Sequence, residues 1–294
     1  MTNQDSADNE NEDVVVGAVR RPHNGALHFA DSIHDDATAN RLGFRGGLVA
    51  GSVHFDQFPP LALDIFGSKW FETGSLSLYF KHATTDQEPV QAFMVRPSRV
   101  GNDSQTRAWM KTEDGTELIS EGTASIGSPS EPSALFSRDL RGVDPGSLRI
   151  LKSFIPGEEL GDWEVTVDGE RQNAAQSTIT EPLEWYYGES PWGGPIATPS
   201  NSVHLLAGNV IGLVNDRTAT VGLFGAVELR YWAGPVLIDH TYEVTSHVVA
   251  VTETPQTEAL WYDSRASEDG VLVASMRMML RKVKAASPLY ETAG

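Results

Sequence analysis

The chain has 294 residues, 40% hydrophobic and 21% charged, which are the values of a globular protein rather than a disordered or fibrous one. Its formal net charge of −18 opposes non-specific binding to nucleic acid or anionic membranes. The absence of cysteine excludes disulfides, thiolate metal ligands and a cysteine nucleophile, and is compatible with the reducing cytoplasm, the expected location.

Residues 1–13 hold five acids and no base, so they read as a solvated acidic tail without the basic and apolar regions of a secretory leader. Nowhere does an apolar run of about 18 residues offer a membrane span. Residues 14–127 read as a first domain, and its leading feature is SIHDDATANRLGFRGGLVAGSVHF (32–55). Asp36 is the expected N-cap of a short helix over ATANRLG, with Gly43 as its stop. An apolar helix is predicted over about 50–66, broken near Phe58 because Pro59 and Pro60 cannot donate into the helical ladder. His54, Asp56 and Gln57 lie on that buried helix and need polar partners, which a seam between domains or subunits would supply. Residues 128–160 have the Pro, Gly and Ser density of a linker, followed by a second domain over 161–285 and a tail over 286–294.

The second domain repeats the first. Gly193-Gly194 falls on Gly46-Gly47 at an offset of 147, and GAVELRY (225–231) falls on GSLSLYF (74–80) at 151. Trp261 matches Trp109 at 152, and Asp269-Gly270 matches Asp114-Gly115 at 155. An offset that drifts upward is what small loop insertions leave in a duplicated unit. Each unit reads as a buried helix followed by strands: 200–214 is apolar nearly all round, with His204 on it as a weaker candidate for chemistry than His54. Val227, Leu229 and Tyr231 alternate with polar neighbours at the period of a half-buried sheet, and 242–251, 258–266 and 271–280 are strand-like, with Asp269-Gly270 as a hairpin turn.

Ile33-His34-x-Asp36, Gly43-Phe44 and Gly46-Gly47-Leu48-Val49-Ala50-Gly51-Ser52 together resemble the hydratase motif of MaoC-like, R-specific enoyl-CoA hydratases and dehydratases. The resemblance implies an α+β fold, a tandem double hotdog in which each half is a long helix wrapped by a curved antiparallel sheet. It also implies a homodimer of such chains, a small acyl-thioester substrate on coenzyme A or a carrier protein, no cofactor and no metal. On that pattern His34 is the general acid/base, Asp31 its carboxylate partner with Asp36 in reserve, and Gly51, beside Ser52, the backbone donor to the thioester oxygen. The family's aspartate position is occupied by Phe29. In the second copy Glu181 falls on the position of His34, and Trp185, Tyr186, Tyr187 and Trp192 would line or lid an acyl pocket.

The expected function is therefore a hydro-lyase on an enoyl or 3-hydroxyacyl thioester. Two alternatives stay open: a hotdog thioesterase using Glu181 or Asp36, and a dehydratase-like protein that acts on, or only binds, another small molecule. A gathering of Arg41, Arg45, Lys69, Lys81, Arg96 and Arg99 at a tunnel mouth would favour a coenzyme A ligand.

Overall fold

The computed structural model describes residues 12–27, 31–178 and 183–290. The first half runs β1 (Val14–Val16), α1 (Asp36–Arg41), α2 (Gly51–Phe55), α3 (Pro59–Phe66), α4 (Trp70–Thr73), β2 (Gly74–Phe80), β3 (Val90–Val95), β4 (Ser104–Thr112) and β5 (Leu118–Ile126). The second runs β6 (Glu159–Thr166), α5 (Gly169–Gln176), α6 (Pro199–Ala207), α7 (Val210–Thr218), β7 (Gly222–Tyr231), β8 (Thr241–Glu253), β9 (Thr257–Glu268) and β10 (Val271–Val283).

The ten strands of the described residues form one antiparallel sheet in the order β1-β3-β4-β5-β2-β7-β10-β9-β8-β6. Each half contributes five strands, and the two orders mirror each other across the β2–β7 junction, as a duplicated unit paired with itself requires. The junction pairs Leu76 with Leu229 and Leu78 with Val227, all buried. Each such side chain contributes about 1.5–3 kcal/mol over its exposed state. The period-two alternation turns Ser77 and Glu228 to the opposite face, where the connecting segment covers them. There Leu135 N–H donates to the Ser77 hydroxyl at 3.0 Å and the Ser133 hydroxyl donates to Glu228. Asp269 (φ +49°) and Gly270 (φ +77°) make the tight turn between β9 and β10.

The first-half helix breaks as its prolines dictate: α2 ends at Phe55 and α3 begins with Pro59 and Pro60 in its first turn. The second-half helix, predicted as one piece over 200–214, is also two, α6 and α7. Gly208 lies between them at φ +50°, where a Cβ would meet the Trp163 ring at 2.9 Å. The break thus admits a tryptophan from β6 against the helix backbone. α2 and α6 pack on each other, and α6 lies on β7, β9 and β10. No described helix is long and apolar enough to cross a membrane.

Candidate active site

The loop before α2 carries His34, and glycine shapes it. Leu48 N–H donates to the Ile33 carbonyl at 3.0 Å, and the Asn24 side-chain amide donates to the His34 carbonyl at 2.9 Å. A Cβ at Gly47 would stand 2.1 Å from the His34 carbonyl oxygen, so this approach admits only glycine. The Asp36 carboxylate ties the same turn by accepting from Gly47 N–H at 2.7 Å. With Asp36 so engaged, the cap of α1 is Asp35, whose carboxylate accepts from Ala37 and Thr38 N–H at 3.1 and 3.0 Å.

The anchored loop fixes the tautomer of His34. Its Nδ1 lies 2.7 Å from the Leu48 carbonyl oxygen. A carbonyl only accepts, so Nδ1 carries the hydrogen and Nε2 of the neutral ring is the basic nitrogen. Gly51 opens α2 with no side-chain cap before it. Amides in a helix's first turn have no intrahelical acceptor. A Cβ on Gly51 would press on Phe80 at 3.0 Å and Phe224 at 3.3 Å, so the backbone itself forms the wall here.

His34 and Gly51 line a cavity of about 1060 Å³ between the halves, bounded by α2, the end of β2, α7, the start of β7 and the end of β10. That is the upper end of the size range of small-molecule sites. Among the described residues its walls bear four histidines (His34, His54, His82, His204), four cations (Arg41, Lys81, Arg281, Lys284) and one acid, Asp31. In a chain with 40 acids and 22 bases, the cavity inverts the overall balance. Lys81 and Lys284 are steadied by Glu121 and Glu253 at 2.7 and 2.6 Å, and Arg281 donates to the Tyr79 hydroxyl at 2.8 Å.

Two of the histidines are held neutral. His54 is buried with Nε2 2.8 Å from the Thr84 hydroxyl, and loss of hydration takes its pKa down to about 4. His204 is exposed, and it stands on the cavity wall. Packing of protein around the ring, then the charges of Arg171 and His34, lower its pKa. Its Nε2 lies 3.2 Å from the hydroxyl of the buried Ser52.

Of the residues singled out in the sequence, the structure gathers His34, Asp31 and Gly51 on one cavity, with Ser52 behind Gly51 and against His204. Asp31 is exposed with φ +61°, and among the described residues no hydrogen bond joins it to His34. Asp36 is absent from the cavity wall, its carboxylate being turned to Gly47. Phe29 and Glu181 lie outside the described residues.

The predicted aromatic lining is elsewhere. Trp185 and Trp192 meet edge to face at 5.2 Å and both rest on Phe71, in the core, while Tyr186 is buried and Tyr187 is 56% exposed. A 3-10 turn over Glu184–Tyr186 and the Ile196 N–H bond to the Trp185 carbonyl draw this segment onto the core. The basic residues divide. Arg41 and Lys81 reach the cavity, but Arg45 pairs with Glu88, Arg96 with Asp64, Lys69 with Asn102, and Arg99 is exposed. Arg281, Lys284 and His82 were missed because no local motif marks them.

No protein-family model matches the sequence, and a search of curated proteins returns no match. Solved structures do match. A MaoC-domain protein from Chloroflexus aurantiacus, assigned as a dehydratase, superposes with a TM-score of 0.66 at 15% identity, over 92% of this chain and 95% of that one. A Mycobacterium tuberculosis protein of double hotdog fold gives 0.58 at 13% identity, over 92% and 96%. A third, a MaoC-like dehydratase, gives 0.55 at 12%, over 90% and 97%. The fold is a double hotdog.

In this double hotdog the two central helices serve each other. α2 starts at Gly51 and α6 at Pro199, 148 positions later. Ser52 and Ser200 are then equivalent, as are Asp56 and His204, and the contacts obey the same relation. Asp56 at the end of α2 accepts from Ser200 N–H at the start of α6 (2.8 Å), while His204 on α6 meets Ser52 at the start of α2. The start of α6 is closed by a carboxylate, whereas the start of α2 faces a neutral imidazole and an open cavity. Burial pushes the Asp56 carboxyl up to about 7, partly offset by its bonds to Ser200.

Proposed function

We propose that the protein is a hydro-lyase that adds water to an enoyl thioester or removes it from a 3-hydroxyacyl thioester. The observation that carries this reading is His34 Nε2, left basic by the Leu48 bond, on the same cavity as the free start of α2. In hydration, Nε2 takes a proton from water as its oxygen bonds to Cβ. The π electrons move to the thioester carbonyl, and the enolate oxygen meets the Gly51 N–H at the positive end of α2. The His34 imidazolium then returns the proton to Cα. Dehydration runs the same steps backward. Asp31, the acid on the cavity wall, would bias the charge on His34 from the solvent side. The four cations support a ligand carrying phosphates, such as a coenzyme A thioester.

The test is hydration of a crotonyl-type thioester, followed by loss of enoyl absorbance. His34→Ala loses turnover by about 10²–10⁴-fold while the fold persists. Unchanged turnover removes the proposal. Release of free thiol from an acyl-CoA without hydration would assign a thioesterase instead.

A further inference from the structure

We infer that His204, from the second half, is the second catalytic group of the site, the imidazole that holds the water against His34. This rests on the hydro-lyase reading. The position that in the resemblance supplies a carboxylate is Phe29. Of the nearby acids, Asp36 is committed to Gly47, and Asp31 is exposed without a hydrogen bond to His34 among the described residues. His204 stands on the same cavity wall as His34, with its ring set by the Ser52 hydroxyl, one residue from Gly51. Ser52 is wholly buried, so the contact has a fixed base.

The charges around His204 suit a neutral role. Arg171 from α5 and His34 from the loop both oppose a proton on it. With Nε2 engaged by the Ser52 hydroxyl, Nδ1 is the ring atom left to orient water, and it can do so without taking the water's proton. The chemistry then balances with one ring moving the proton. Water's proton goes to His34 Nε2, its oxygen bonds to Cβ, and the same proton returns to Cα, while His204 begins and ends neutral. A carboxylate partner would stabilise the His34 imidazolium, whereas a neutral partner leaves it the stronger acid for returning that proton.

The full-length protein is tested with three substitutions, His204→Ala, His204→Gln and His204→Asp, alongside His34→Ala, with a crotonyl thioester across pH 5–9. The expected result for His204→Ala is a fall in kcat of at least about tenfold with KM changed less than about twofold, as the lower end of acid–base contributions implies. His204→Gln, which keeps a donor and an acceptor, recovers part of the loss and guards against a folding defect. His204→Asp places a carboxylate beside His34 and moves the acidic limb of the profile to higher pH. As a readout apart from activity, the His204 ring protons titrate at higher pH by NMR in His34→Gln, because a neighbouring charge is gone.

Wild-type kcat and an unmoved profile in folded His204→Ala, with His34→Ala inactive, overturns the role of His204 and leaves the hydro-lyase reading standing. An unmoved His204 titration in His34→Gln also overturns it. Retained turnover in His34→Ala removes the hydro-lyase reading itself.

Discussion

Asp56→Asn isolates the cost of closing the start of α6 with a buried acid. Asp56 is 3% exposed, its Oδ1 accepts from Ser200 N–H, and among the described residues its Oδ2 has no hydrogen-bond partner. Burial holds the carboxyl at about 7 against an ordinary 3.8. An acid whose folded pKa is raised keeps its proton in the folded chain while the unfolded chain has lost it. Stability therefore falls as pH rises from about 4 to about 7, by about 1.4 kcal/mol per pH unit and about 4 kcal/mol in all. Asparagine keeps the acceptor for Ser200 and does not titrate. Its stability relative to wild type should grow by about 2 kcal/mol between pH 5.5 and pH 8.5, because the wild type pays the remaining half of its penalty in that interval. Urea unfolding followed by tryptophan fluorescence reads this as a midpoint difference that widens by about 0.5–1 M. A difference constant across the interval, or one that narrows as pH rises, refutes a buried acid that resists ionisation.

Gly47→Ala should remove hydration activity and lower stability by about 1–3 kcal/mol, because its Cβ collides with the His34 carbonyl and forces the loop apart. Melting and turnover measured together check it, and wild-type turnover would show that this close approach is dispensable. The four cavity cations predict salt sensitivity specific to phosphate-bearing substrates. KM for a crotonyl-CoA should rise roughly threefold or more from 0.1 to 1 M NaCl, over which the Debye length contracts from about 10 to 3 Å. KM for the pantetheine thioester, which lacks the nucleotide phosphates, should stay nearly constant.

The duplication and the strands of the second half were legible because periodicity, turn signals and paired tryptophans are local features that burial acts on directly. The break before Pro59 was legible for the same reason, since a missing amide hydrogen acts at its own position. The break at Gly208 was not, because its cause is the Trp163 ring, brought from a strand 45 positions upstream. Likewise the polar residues of the first helix pointed to a seam, and Asp56 does bond across it to Ser200. Nothing local said that His204 would do so in return. The aromatic run at 185–192 misled because large rings serve a core as well as a pocket, and their composition alone does not say which.

The exchange of Asp56 and His204 between central helices bears on how the molecule can be divided. A dimer built from two first halves would put Asp56 against Ser52, presenting a carboxylate where the proposed enolate charge develops. A dimer of two second halves would put His204 at the start of α6, with no histidine at the position of His34, where Glu181 falls. On the proposed mechanism neither half paired with its own copy would carry the whole site, so the fusion of unlike halves would confine that chemistry to the cavity beside α2.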